Sequence, residues 1–348
     1  MFLESQAKTP ERFSLRNPNV LLLLGSRQEI EDTLQAEREP RIEFESTIFR
    51  PALGGRLDNP ARNPLTYRQL DEVVQMRSSV LLIAASEAAG SGNLLSGLRD
   101  QPGVADTRLF VQLDRASDKK SFAQELDKEV KRRVADGITV MLVPASVPWD
   151  AEWVTAARAK LNALKSVGSF VSVVFAADPL RLWALAAAVP ERAAWVEPWL
   201  SVRPWARGFV RKWLEELQFP TDAVDRLEAL TGYWGGLLES VARVKGGALD
   251  FANNLDRMAK LLDDQDWRRE NRRRLTGGVE DAERVLTAML GLGDGVTESD
   301  LVEFGELSKD IVERTLLWAE PLGLVVRQAG GVWAMDPFVK RMLEATLQ

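Results

Sequence analysis

The chain has 348 residues, 45% hydrophobic and 28% charged, with a formal net charge of −6; that length suffices for two or three domains. It has no cysteine and no histidine, which excludes a thiolate nucleophile, an imidazole base and a soft-metal site, leaving any chemistry to Asp, Glu, Lys, Ser, Thr or Tyr. The acidic balance disfavours indiscriminate nucleic-acid binding, and no apolar run approaches the ~18 residues of a membrane span, so a cytoplasmic protein without membrane partners is expected.

Residues 1–60 carry no clear pattern. The apolar run Val20–Leu24 stops at Gly25, a charged helix-like stretch follows, and 41–49 alternates like an edge strand. Residues 50–64, rich in Pro, Gly and Asn, read as a linker. Beyond it a rhythm begins. A helix over 67–75 precedes a strand at 79–84, then come strands at 108–113, 138–143 and 170–175 with helices over 121–135 and 152–164 between them. Continuously apolar strands alternating with helices imply a parallel sheet covered on both faces. After Pro190 the pattern turns helical, over 205–217, 221–229, a helix entered through 231–238, and 251–262; residues 267–274 read as a charged connector. The last segment predicts helices over 279–290, from Thr297 with a capping box to Asp300, and from Ser308 to Ala319. A hairpin of 324–327 and 332–335 around Gly330-Gly331 follows. Three helices and a two-stranded wing make a winged helix.

The loop after the first strand carries the motif that matters most. A nucleotide-binding P-loop is a strand, a turn spaced G-x-x-x-x-G-K-[ST] and a helix start, with backbone amides cradling phosphate, Lys neutralising it and a hydroxyl holding magnesium. Here that frame falls on Glu87–Leu94. Gly92 keeps the second glycine, Asn93 stands in place of Lys, and Leu94 in place of the hydroxyl. Glu87 puts a carboxylate where the first glycine belongs. Backbone amides around Gly90, Ser91 and Gly92 remain as candidate phosphate contacts. By itself, Gly-Ser-Gly after a strand also describes any tight turn.

The layout of the rest resembles bacterial AAA+/STAND ATPases. The strand Val140–Val143 lies where the Walker B strand belongs, but Pro144-Ala145 replaces its Asp-Glu pair. Ala176-Ala-Asp178 resembles the sensor position, with Asp178 as a polar remnant. Thr231–Leu238 is similar to the Gly-rich helix start of the family's lid, without its usual Pro, and 63–68 resembles the segment before the first strand. The resemblance covers the chain from about residue 60 onward. It implies an α/β fold: a parallel-sheet P-loop NTPase-like core with a helical lid and a C-terminal winged helix. The implied divisions are an N-terminal extension at 1–60, the core at 61–200, the lid at 201–275 and the winged helix at 276–348. Losses at both Asn93 and Pro144 imply abandoned hydrolysis: a catalytically inactive scaffold or regulatory subunit, with no catalytic residue, no metal and no cofactor beyond weak ATP or ADP binding. Its expected partner is a protein, an active ATPase among the candidates. Alternatives are a switch that senses nucleotide without cleaving it, and a winged-helix DNA-binding regulator.

Other clusters have plainer readings. Asp150 and Glu152 suit a helix N-terminus. Of eleven tryptophans, Trp195, Trp199, Trp205 and Trp213 crowd the expected junction of core and lid, where packing explains them as well as an interface anchor. Arg268, Arg269, Arg272, Arg273 and Arg274 are a candidate phosphate or acidic-partner contact, but interleaved Asp and Glu favour a salt-bridged helix. In the expected recognition helix, Lys309 and Arg314 are offset by Asp310 and Glu313, so a protein contact is favoured over DNA.

Overall fold

The computed structural model of the chain describes residues 3–5, 13–15, 76–94, 108–113, 118–132, 138–164, 171–188, 199–242, 248–293 and 295–344, with a few single positions besides. It divides into two compact units, Met1–Ile48 and Phe49–Gln348. In the first, Leu3–Ser5 (β1) and Phe13–Leu15 (β2) pair antiparallel, with Leu3 opposite Leu15. The apolar run at 20–24, the expected edge strand at 41–49 and the linker at 50–64 lie outside the described residues.

The second unit is α/β, as the sequence predicts. Val80–Ala84 (β3), Arg108–Gln112 (β4), Ile138–Val143 (β5), Val171–Ala177 (β6) and Trp199–Ser201 (β7) form one parallel sheet in the order β4-β5-β6-β3-β7. Every residue of β3 and β6 is buried, because helices cover both faces; this is why β3 reads as an unbroken apolar run and β6 as one interrupted only by Ser172. Lys119–Arg132 (α1) and Ala151–Leu164 (α2) pack on each other, and Phe122 stacks on Trp153 at 5.0 Å. Pro179–Ala188 (α3) follows β6. From β3 the chain crosses to the far edge at β4 and returns through β5 and β6, whereas the chain leaving β6 reaches the opposite side of β3 at β7. That reversal puts a crevice at the carboxyl ends of the strands, where α/β proteins hold ligands.

β7 was not predicted. It has three residues in a segment rich in Trp and Pro, and no apolar run announces it.

Helices Arg207–Glu216 (α4), Val224–Thr231 (α5), Gly235–Ala242 (α6), Ala248–Ala259 (α7) and Gln265–Thr276 (α8) come next. The stretch at 267–274, read as a charged connector and, from its charge pairs, as a salt-bridged helix, is helix. Asp264 caps it by accepting from the Trp267 amide at 2.8 Å, and Trp267, Asn271 and Leu275 recur every four residues on its inner side. Arginine is a good helix former, and high charge hid the sparse inward stripe. Between α5 and α6 the turn is tight: Gly232 has φ 52, and a Cβ there would lie 2.3 Å from Phe338 Cβ.

Glu280–Leu292 (α9), Glu298–Glu303 (α10), Lys309–Ala319 (α11), Val325–Arg327 (β8), Trp333–Met335 (β9) and Pro337–Glu344 (α12) complete the chain. The capping box from Thr297 to Asp300 and the Ser308 cap are present. β8 and β9 pair antiparallel with Arg327 opposite Trp333, forming the hairpin expected around Gly330-Gly331. No described helix is long and apolar enough to cross a membrane.

The unpredicted α12 opens with Pro at its first position and is capped by Asp336, whose Oδ1 accepts from the amides of Phe338 at 3.0 Å and Val339 at 3.1 Å. Burial raises the Asp336 pKa, and those two amides oppose the rise. A carboxyl whose folded pKa exceeds its unfolded one stabilises the protonated fold, and that contribution is lost as pH rises through the folded pKa. Asp336→Asn keeps the cap without the buried charge. Denaturant melts between about pH 4 and pH 7 are expected to show the wild type gaining on this variant as pH falls. Asp336→Ala is expected to lose about 1 kcal/mol near pH 4 and less near pH 7.

Candidate functional site

The crevice is a cavity of about 340 Å³ bounded by Ala85 beyond β3, Gln112 of β4, Pro144–Ser146 after β5, Ala176–Asp178 at the end of β6, and Ser91, Gly92 and Leu94 of the following loop. The structure thus gathers the expected positions Ser91, Gly92, Leu94, Pro144 and Asp178 at one place. Glu87 and Gly90 lie on the same loop but do not line the cavity, and Asn93 is the last residue of its 3-10 turn, Ser91–Asn93.

Sequence dictates what the cavity lacks. Among the described residues no Lys or Arg lines it, and Asp178 is the only charged one. Leu94, at the hydroxyl position, is 1% exposed and belongs to the core. Pro144 carries no acid at the strand end, and its carbonyl accepts from the Val147 amide. Asp178 acts as a helix cap: its Oδ1 accepts from the Arg181 amide at 2.7 Å. Asp150 does the same for α2, accepting from the amides of Glu152 at 2.9 Å and Trp153 at 3.2 Å, and Glu152 pairs with Lys119 at 2.7 Å. Both acids beyond β5 therefore serve the helix start, in keeping with the plainer reading.

The loop itself is closed on the protein. Gly90 takes the left-handed conformation at φ 92, and its amide donates to Glu87 O at 3.0 Å. The Ser91 amide donates to Ser86 O at 3.1 Å, Leu94 N–H to Ser91 O, and Ala89 N–H to Ser86. The amides of Ala89, Gly90, Ser91 and Leu94 are thus bonded internally. Ala88 is held from both sides: its N–H donates to Arg274 O of α8 at 3.0 Å, and its carbonyl accepts from Gly236 N of α6 at 2.8 Å. The approach is close enough that a Cβ on Gly236 would lie 2.5 Å from Glu87 O.

Glu87 adds ion pairs to this contact, at 3.2 Å to Arg274 Nε and 3.5 Å to Arg273 Nη2. The Glu87 side chain is 56% exposed, so the pairs are worth roughly 0–1 kcal/mol. Two backbone hydrogen bonds at about 1 kcal/mol each outweigh them. The clamp is chiefly a main-chain contact.

The arginine cluster divides by role. Arg268 donates to Leu262 O and pairs with Asp263, Arg269 pairs with Asp266 at 3.0 Å, and Arg273 grips Glu270 through two nitrogens. That last pair holds the Glu270 carboxyl below its usual range. Arg272 forms a half-buried pair with Glu283 of α9 at 3.1 Å, and Arg274 reaches Glu87. All five are engaged, as a salt-bridged helix requires. Sequence reasoning missed that three of them fasten α8 to other elements; partners 11 and 187 positions away in sequence leave no local signal.

Tyr233, a remaining acid–base candidate, is kept protonated because burial and the Glu228 carboxylate raise its pKa. Lys309 pairs with Glu313 at 3.4 Å. Arg314 lies over the Trp183 ring at 5.3 Å, and Trp183 meets Trp318 edge-on at 6.0 Å. Helix α11 is therefore packed against α3, and Trp318 Nε1 donates to Pro179 O at 2.8 Å. Trp205 and Trp213 pack on one another at 6.0 Å, Trp199 is half-buried in β7, and Trp195 lies outside the described residues.

The class defined so far is an α/β protein with a closed crevice at the carboxyl edge of a parallel sheet. No family model and no curated protein matches the chain. Among solved structures it is similar to a Walker-type ATPase of Pyrococcus abyssi (12% identity, 80% of this chain and 94% of that one, TM-score 0.44). It is also similar to a RuvB variant of Thermotoga maritima (13% identity, 80% and 93%, TM-score 0.39). A third is Cdc6p of Pyrobaculum aerophilum (13% identity, 87% and 99%, TM-score 0.32).

Proposed function

We propose that the chain is a pseudo-ATPase of AAA+/STAND type, acting as a non-hydrolysing scaffold or regulatory subunit that binds a protein partner. On this reading β3–β7 are the core of a degenerate P-loop ATPase, α4–α8 its lid, and α9–α12 with β8 and β9 a winged helix. The observation that carries it is the closed loop: the amides of Gly90, Ser91 and Leu94 bond internally, and Ala88 is bonded to α6 and α8. Among the described residues, a phosphate entering here meets no cation in the cavity and a carboxylate beside the loop. Losing one charge-assisted contact costs about 1.5–3 kcal/mol, and opening the clamp adds the two main-chain bonds. Packing of α11 on α3 favours a protein-binding role over DNA reading, because the helix that would enter a major groove is engaged within the chain.

Calorimetric titration of the purified protein with ATP and ADP, with and without magnesium, tests this. No heat of binding at millimolar nucleotide is the expected result. Saturable micromolar binding would overturn the reading in favour of a nucleotide-sensing switch.

A further inference from the structure

We propose that a groove along α9 docks a basic amphipathic helix of a partner protein. The inference deepens the scaffold reading and rests on it for the existence of a protein partner. The groove encloses about 830 Å³, with one face of α9 as one wall and Phe304, Gly305 and Leu307 as the other. Thirteen residues of α9 give it a length of about 20 Å, which matches three to four turns of a helix laid alongside.

Two features mark it as unfinished surface. Four large apolar side chains are exposed among the described residues, and two of them, Phe304 at 64% and Leu292 at 39%, line this groove. Its floor is open at Gly291, where an added Cβ would meet nothing within 4 Å. The wall also contains backbone strain, because Glu306 takes φ 50, which L side chains adopt at a cost and which clusters at functional sites.

Charge identifies the occupant. Arg272 and Glu283 at one end neutralise each other, and Arg284 sits 3.8 Å from Asp281. Glu280 on the groove, and Glu303 and Glu306 flanking Phe304 and Gly305, are exposed and have no ion-pair partner among the described residues. The uncompensated charge is thus acidic around an apolar strip. An apolar face with flanking Lys or Arg complements it, and an acidic helix is repelled.

The test is fluorescence anisotropy with a labelled synthetic peptide of about 14 residues, Leu at helical spacing and Lys elsewhere, beside the same peptide with Glu for Lys. The Lys peptide is expected to bind saturably in the micromolar range and the Glu peptide not at all. Gly291→Leu fills the groove while replacing a helix-interior glycine with a better helix former, so its melting point should hold while peptide binding falls about tenfold or more. Phe304→Ser is expected to weaken binding likewise. Absence of Lys-peptide binding, or equal affinity for the Gly291→Leu protein, overturns the proposal. A dimer in sedimentation that Gly291→Leu dissolves also overturns it, assigning the groove to a second copy. Nucleotide binding would sink the non-hydrolysing scaffold reading and leave these peptide results unaffected, so the two failures are distinguishable.

Discussion

Gly236→Ala is expected to destabilise the protein by about 2–4 kcal/mol, combining overpacking against atoms that cannot swing aside with strain on one hydrogen bond. The new Cβ would stand 2.5 Å from Glu87 O, 2.9 Å from Ala88 O and 3.0 Å from Gly90 N, all backbone. Relief requires α6 to back away from the loop, which stretches the bond from Gly236 N to Ala88 O. Scanning calorimetry should register a fall in Tm of roughly 5–10 °C. Gly92→Ala is the control: nothing lies within 4 Å of its Cβ, so little change is expected. In a working phosphate cradle the second motif glycine is the indispensable one, and an equal loss for both variants would count against the closed-loop description.

Trp318→Ala is expected to cost about 3–5 kcal/mol, the range for removing a fully buried aromatic side chain. Its ring is 0% exposed, meets Trp183 edge-on, and holds Pro179 O through Nε1. Trp318→Phe retains much of the ring and loses the hydrogen bond, so it should cost less, about 1–3 kcal/mol including the unpaired carbonyl. Because the indole joins α11 to α3, the Ala variant should expose the Arg314 face to protease in limited digestion while the β3–β7 sheet keeps its protection. Loss of all protection together would mean that the C-terminal helices and the sheet unfold as one unit.

Much of the core was legible because burial on two faces writes itself as unbroken apolar runs. Val80–Ala84 is such a run, and Ile138–Val143 and Val171–Ala177 are broken only by Thr139 and Ser172, so the sequence placed all three within a residue or two. β7 escaped because three residues paired along one side need no such run. α8 was legible from its charge pairs as a salt-bridged helix, but not as a packed one, because ten polar or charged residues among its twelve left only Trp267 and Leu275 as an apolar stripe. The missing groups of the site, at Asn93, Leu94 and Pro144, could be read directly from spacing. What filled the gap could not: Arg274 meets Glu87 across 187 positions, and the bonds of Ala88 are main-chain contacts that no side-chain pattern encodes. The sequence showed a cradle without its charged groups, and only the fold shows α6 and α8 fastened to the loop beside it.

The two bonds of Ala88 join opposite ends of two helix dipoles. Arg274 O belongs to the last turn of α8, the negative end, and Gly236 N to the first turn of α6, the positive end. One residue between them, Ala88, donates its N–H to the first and offers its carbonyl to the second, meeting the partial charges at both poles. An anion at the start of α6 would therefore find its electrostatic role already filled by a neutral group. Neutral bonds of this kind need no counterion and are little altered by ionic strength, whereas the Glu87–arginine pairs beside them are screened. In concentrated salt the clamp should persist on its main-chain bonds alone.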